Sequence, residues 1–350
     1  MSTSAGSASR LVLLDGLRGL AAIAVMLMHD GIVYGPEGIF SRSYLSVDLF
    51  FLLSGFVLTL AYERKFAGGF GPLSFMRARI GRLWPVLACG VALGAIMAMM
   101  HDVLRPMAST LLLTNIVLLP LPRQEPLLYW LNAPAWSLAC EFVVNLLHVL
   151  ILWKLTNRGL AIVSAFAGIG LTFSVVSLGS ADLGAGWDNW YGGYLRVLFA
   201  YPLGILMART WRDRGSFSVH WLTGLLAPMA FILLLPAVNL PPEQADVLAC
   251  ILIVPALFWV ATRAGEPPAR MLPLLSWLGA ISYPVYAFNW PLIYLGLYLS
   301  RHADPAYADA FRFGAIAAAI LLSHAAVVIG RMRRASIVQS PKPVPSVSTA

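Results

Sequence analysis

Ten stretches of this chain are apolar and long enough to cross a bilayer: near 11–33, 44–62, 83–101, 134–153, 159–178, 193–208, 221–238, 245–262, 277–299 and 308–330. An eleventh, 107–121, is apolar but short and bounded by prolines. The pattern predicts an all-α polytopic membrane protein of about ten transmembrane helices, with 107–121 as a re-entrant or interfacial piece. The two ends lack it: 1–10 and 335–350 are polar, small and partly Pro-rich, and read as disordered tails. One membrane domain, 11–334, remains between them. No internal repeat, second soluble domain, P-loop or dinucleotide fingerprint interrupts it.

Composition agrees and charge then chooses the topology. The chain is 59% hydrophobic and 11% charged, where a soluble domain carries about 25% charged residues. Asp15 and Arg18 break what would be the apolar core of a signal peptide, so the first segment reads as a permanent anchor. With ten spans and a cytoplasmic N-terminus, 17 of the 24 Lys and Arg fall inside and only Arg42, Arg105, Arg123 and Arg301 outside. Letting 107–121 cross leaves 8 inside against 13 outside. The positive-inside rule therefore selects ten spans with both termini in the cytoplasm. The net charge of +8 is mostly topology, and no nucleic-acid partner is implied.

Polar residues within apolar segments are costly and mark candidate function. Arg18 and His29 share the first span, about 16 Å apart along its axis by helix rise, with His29 towards the outer side. Asp48 stands near the outer start of the second span, and Glu141 a few residues into 134–153 from outside. The three could share one depth, so Glu141 or Asp48 is a candidate to orient His29. Asn289 lies at mid-depth in 277–299. Before the third span, RARIGRLWP places Arg79 and Arg82 three apart, on one face if helical and aimed at the cytoplasmic interface. Arginine suits bidentate phosphate contact.

Other polar positions have simpler readings. Trp84, Trp136 and Trp277 fall at span ends, as interface anchors do. Arg196 and Arg312, near span ends, read as snorkelling, and Asp48 can serve its own helix N-terminus. His101, His148, His220 and His302 fall at span ends or in loops, His324 within a span, and none has an evident partner set. Cys89, Cys140 and Cys250 read as small core residues, and no metal-ligand spacing occurs.

Five segments in order resemble the acyltransferase-3 family of bacterial membrane acyltransferases: LDGLRGLAAIAVMLMH with Arg18 and His29, VDLFFLLSGFVLT with Asp48 and Ser54, FMRARIGRLWP with Arg79 and Arg82, PAWSLACEF with Trp136, Ser137 and Glu141, and LGAISYPVYAFNWPL with Ser282, Tyr283 and Tyr286. The likeness covers about residues 11–330. It departs at Asn289, where many members have His, and at Ser46, where many have Gly. It implies an O-acyltransferase of the bacterial inner membrane, multi-pass in the lipid bilayer. Acetyl-CoA or another acyl-CoA would be the donor, without a metal, and a saccharide or lipid-linked glycan the acceptor.

On that resemblance His29, Arg18 and Glu141 are the expected catalytic residues, and Arg79 and Arg82 the donor-binding ones. Asp48, Ser54, Trp136, Ser137, Tyr283 and Asn289 line or support the site. His29 would act as general base on the acceptor hydroxyl or as an acylated nucleophile, while Arg18 stabilises developing negative charge. The rival reading is a multi-span transporter of a saccharide or other polar metabolite. It predicts internal repeats and paired broken helices, which the sequence does not display.

Overall fold

The computed structural model describes residues 3–100, 102, 104–120, 127–211 and 218–339. Helices dominate, because in hydrocarbon a helix satisfies its own backbone, and the described residues hold no strand beyond two isolated bridges. In chain order they are α1 (Thr3–Tyr34), α2 (Ser46–Ala67), α3 (Pro72–Met100), α4 (Ala108–Ile116), α5 (Ala135–Leu150), α6 (Asn157–Leu178), α7 (Trp190–Thr210), α8 (Trp221–Leu234), α9 (Pro242–Leu248), α10 (Val254–Thr262), α11 (Leu272–His302) and α12 (Ala308–Gln339). The remaining residues of the two expected tails, 1–2 and 340–350, lie outside the described residues.

Seven helical stretches are long and apolar enough to cross a membrane: Leu11–Tyr34, Gly38–Ala67, Pro72–Met100, Asn157–Leu178, Pro242–Thr262, Ala269–His302 and Pro305–Arg333. The other three expected spans are the shorter apolar stretches Ala135–Leu150 and Trp221–Ala237 and the 21-residue α7. Between α9 and α10 a π-helical turn, Ala249–Ile253, precedes Pro255. Proline lacks the N–H and crowds the preceding turn, which this wider turn accommodates.

Among its described residues, segment 107–121 has one α-helix, α4, nine residues long, which rises about 14 Å, half a hydrocarbon core. Further on, residues 127–134 pass between α3 and α11 without helix. Leu131 and Asn132 are buried there. A Cβ on Gly94 of α3 would land on the Leu131 carbonyl, so only glycine lets this strand of backbone pass so close. Non-helical backbone at that depth needs partners inside the protein, and the Asn132 amide supplies one to α11.

Helix directions follow from paired residues. Arg18 meets Ser282 and His29 meets Asn289, so α1 and α11 run parallel. Asp48 meets Arg196 and Glu63 meets Arg209, so α2 and α7 are parallel as well. The latter pair is held close by reciprocal glycines: Gly55 abuts the Tyr201 carbonyl and Gly204 the Leu52 carbonyl, the small-residue contact typical of membrane helices.

Candidate active site

The centre of the site is a buried pair. His29, 8% exposed, has Nδ1 2.7 Å from the Asn289 amide oxygen, and Trp290 stands edge-on to its ring at 5.2 Å. The amide cannot be turned round without loss, because its nitrogen donates to the carbonyls of Val285 (2.9 Å) and Tyr286 (2.8 Å). Oδ1 therefore faces the histidine as an acceptor, Nδ1 carries the proton, and Nε2 presents its lone pair. No hydrogen bond engages Nε2 among the described residues.

Two prolines shape the helix that carries Asn289. Pro291 has no N–H, which frees the Ala287 carbonyl one turn back. Asn132 of the non-helical stretch 127–134 donates to it at 2.9 Å. From α5, Ser137 Oγ lies 2.7 Å from the Tyr286 hydroxyl, so two neighbouring elements brace the stretch of α11 that aims Asn289.

A second, basic station lies towards the end where α2 passes into α3. Arg18 donates from Nε to Ser282 Oγ (3.0 Å) and from Nη2 to Asp15 (2.8 Å) and the Gly279 carbonyl (3.0 Å). Buried Arg79 donates from Nη2 to Glu141 Oε1 at 2.6 Å, and Ser54 Oγ donates to the same oxygen at 2.9 Å. Arg82 is exposed and within Coulombic reach of Arg18, Arg79, Glu141 and Asp15. Tyr283 crosses from α11 to donate to the Leu83 carbonyl of α3 at 2.7 Å. Arg79 and Arg82 belong to the opening turns of α3, which begins at Pro72, ahead of the span expected from residue 83.

Several expected placements differ. Neither Glu141 nor Asp48 orients His29. Glu141, the seventh residue of α5, is bound to Arg79 instead, because α5 packs on α3 and turns this side chain to it. Asp48 faces α7, where Arg196 grips it through Nε (3.1 Å) and Nη2 (2.8 Å). That arginine does not snorkel. It is fully buried, donates also to the carbonyls of Tyr44 and Leu183, and lies over the Trp136 ring at 5.4 Å. Trp136 is accordingly buried rather than interfacial. Arg312 likewise pairs with Asp30, joining α12 to α1. Trp277 donates to His324 at 3.2 Å, joining α11 to α12.

Sequence reasoning passed over one buried network. His148, fully buried, has Nδ1 2.7 Å from the Tyr201 hydroxyl, which also donates to Asn145 at 3.2 Å. Asn145 and His148 stand three apart on α5, but Tyr201 is 53 residues further on, so no local spacing announces the group.

Residues 11–330 match the acyltransferase-domain family, acyltransferase-3. The chain is 36% identical over 156 residues to protein 2 of the picA locus of Rhizobium radiobacter, covering 40% of this chain and 81% of that protein. BcsY of Komagataeibacter xylinus, which carries the name of a membrane-bound transacylase, is 26% identical over 302 residues, 82% of this chain and 74% of that one. Acyltransferase MdmB of Streptomyces mycarofaciens is 26% identical over an alignment of 359 positions, 89% and 88% of the two chains. No solved structure matches the chain significantly. These likenesses favour an enzyme over a transporter. Motifs in order, apolar helices and near-full-length matches agree that the chain belongs to the acyltransferase-3 family and is a multi-pass membrane acyltransferase.

Proposed function

We propose that this enzyme moves an acyl group, acetyl in the first instance, from cytoplasmic acyl-CoA to a hydroxyl of a saccharide or glycan at the outer side of the bacterial inner membrane. The observation that carries the reading is the His29–Asn289 pair: a neutral imidazole, fixed as the Nδ1–H tautomer, with Nε2 left open. That is the state in which histidine takes a proton from a hydroxyl or attacks a carbonyl carbon. In the first case the acceptor oxygen bonds to the thioester carbonyl as its proton passes to Nε2. The CoA thiolate then leaves and takes that proton. In the second, Nε2 itself bonds to the acyl carbon as the C–S bond breaks and CoA departs as the thiolate. The acceptor oxygen then bonds to that carbon, the C–N bond breaks and the hydroxyl proton is left on Nε2.

Arg79, Arg82 and Arg18 supply the positive station a CoA phosphate needs, and a linear arm such as pantetheine suits the span from there to His29. Glu141 and Ser54 hold Arg79 in place, and Ser282 and Asp15 hold Arg18. Asp48 supports the frame through Arg196.

Ten crossings with both termini cytoplasmic are part of the proposal. The parallel runs of α1 with α11 and of α2 with α7 support that count, since an added crossing at 107–121 would make both pairs antiparallel.

Acetyl-CoA binding to protein in nanodiscs tests the donor half. Wild type should bind, and Arg79→Ala/Arg82→Ala should weaken binding by about tenfold or more, the loss of one or two charge-assisted contacts. Equal affinity in the variant would remove the arginines from the donor site.

A further inference from the structure

At the end of the bundle where α1 gives way to α2, a cleft of about 310 Å³ is lined among others by Met28, Ile32, Glu37, Arg42, Asp182 and Pro242. Met28 precedes His29 on α1 and Glu37 packs on Gly31, two residues beyond it, so the cleft shares that end of the helix with the His29–Asn289 pair. We infer that it is the acceptor subsite, with Glu37 and Asp182 receiving hydrogen bonds from the hydroxyls of a saccharide. The inference rests on the proposed acyl transfer and names where its acceptor is held.

The carboxylates carry the argument. Every buried carboxylate at this end is committed: Asp30 to Arg312, Asp48 to Arg196, Asp246 to Arg42. The side chains of Glu37 and Asp182 make no hydrogen bond or ion pair among the described residues. They are nevertheless close enough for the charge of Asp182 to act on Glu37. Two unpaired acceptors on one cleft suit a ligand rich in O–H donors, such as a vicinal diol.

The walls are rigid. Asp246 accepts from Arg42 Nη1 (2.6 Å), the Tyr44 hydroxyl (2.7 Å), the Ala181 backbone N–H (2.7 Å) and Ser180 Oγ (3.3 Å). That clamp ties the loop carrying Asp182 to the segment carrying Glu37 and Arg42, so the cleft is formed before a ligand arrives. The clamp engages only Nη1 of Arg42, leaving its other nitrogens to donate to hydroxyl or ring oxygens. Met28, Ile32 and Pro242 offer the C–H face of a sugar an apolar surface. A calcium ion, which takes 6–8 oxygen ligands, finds only two carboxylates here.

Carbodiimide coupling of glycine methyl ester, read by peptide mass spectrometry on wild-type protein in nanodiscs, tests the assignment. Probes are the methyl glycosides of glucose, galactose, mannose, rhamnose and N-acetylglucosamine, and calcium alone. The expected result is that at least one glycoside lowers labelling of both Glu37 and Asp182 by about tenfold while exposed Asp102 and Glu266 label as before. Protection by calcium without protection by any glycoside would overturn the inference in favour of a cation site. No protection by any probe would overturn it outright. Acetyl-CoA binding on the same samples reports the enzyme reading separately: its absence beside intact glycoside protection would sink that reading and leave the cleft.

Discussion

Replacing Asn289 with leucine keeps the shape of the side chain and removes the acceptor opposite His29. The hydrogen bond lost is short, 2.7 Å, and buried. An imidazole N–H left unpaired there costs about 1–3 kcal/mol, which is roughly fivefold to 150-fold in rate if it falls on the transition state. The proton is then free to move to Nε2, and general-base catalysis worth about 10²–10⁴ depends on its staying on Nδ1. We expect kcat for acyl transfer to fall about a hundredfold, with the KM for acetyl-CoA unchanged, because the arginine station lies elsewhere. Asn289→Asp retains an acceptor facing Nδ1 and should keep more of the activity than Asn289→Leu. The assay is radiolabelled acetyl transfer in nanodiscs, with thermal unfolding to confirm that the leucine variant is folded. A folded Asn289→Leu enzyme within about threefold of wild type would refute the idea that Asn289 sets the tautomer.

Arg79→Ala and Glu141→Gln should each raise the acetyl-CoA KM, and the double variant should be little worse than Arg79→Ala alone, because the carboxylate acts through the guanidinium; additive losses in a double-mutant cycle would give Glu141 its own role. Breaking the buried Asp48–Arg196 pair from one side, as in Arg196→Met, should cost about 3–5 kcal/mol, while Asp48→Leu/Arg196→Met recovers part of that, as unfolding temperatures will show. Gly55→Val drives a side chain into the Tyr201 carbonyl and should lower the unfolding temperature by separating α2 from α7. Burial and the charge of Asp182 hold the Glu37 carboxyl above its ordinary value, so it takes up its proton early as pH falls. Glycoside protection should therefore weaken on acidification before an ordinary exposed glutamate titrates, whereas a stability change from this group alone would favour the fold as pH falls.

What the sequence made legible was whatever repeats or aligns locally. Apolar run length located the helices, seven of them long and apolar enough to cross a membrane, loop charge proposed their direction, and the motifs proposed His29, Arg18, Arg79 and Glu141 as site residues. What it hid was lateral. Asn289 looked like a departure from a family histidine, and only the parallel packing of α1 on α11, 260 residues apart, makes it the partner of His29. Depth counted from segment ends put Glu141 with His29, but α5 packs on α3 and delivers Glu141 to Arg79. Arg196 and Arg312 sit near helix ends as snorkelling residues do, yet each meets an aspartate from a distant span. Ion pairs between helices leave no spacing in the chain.

Acetyl transfer by His29→Ala tests the central claim most directly. Wild-type protein in nanodiscs, given radiolabelled acetyl-CoA and an envelope glycan extract, should move label into glycan. A folded, membrane-inserted His29→Ala variant should still bind acetyl-CoA and transfer none of it. Label reaching glycan at the wild-type rate in that variant would contradict the account, because no other described group pairs an open imidazole nitrogen with a fixed tautomer at this site.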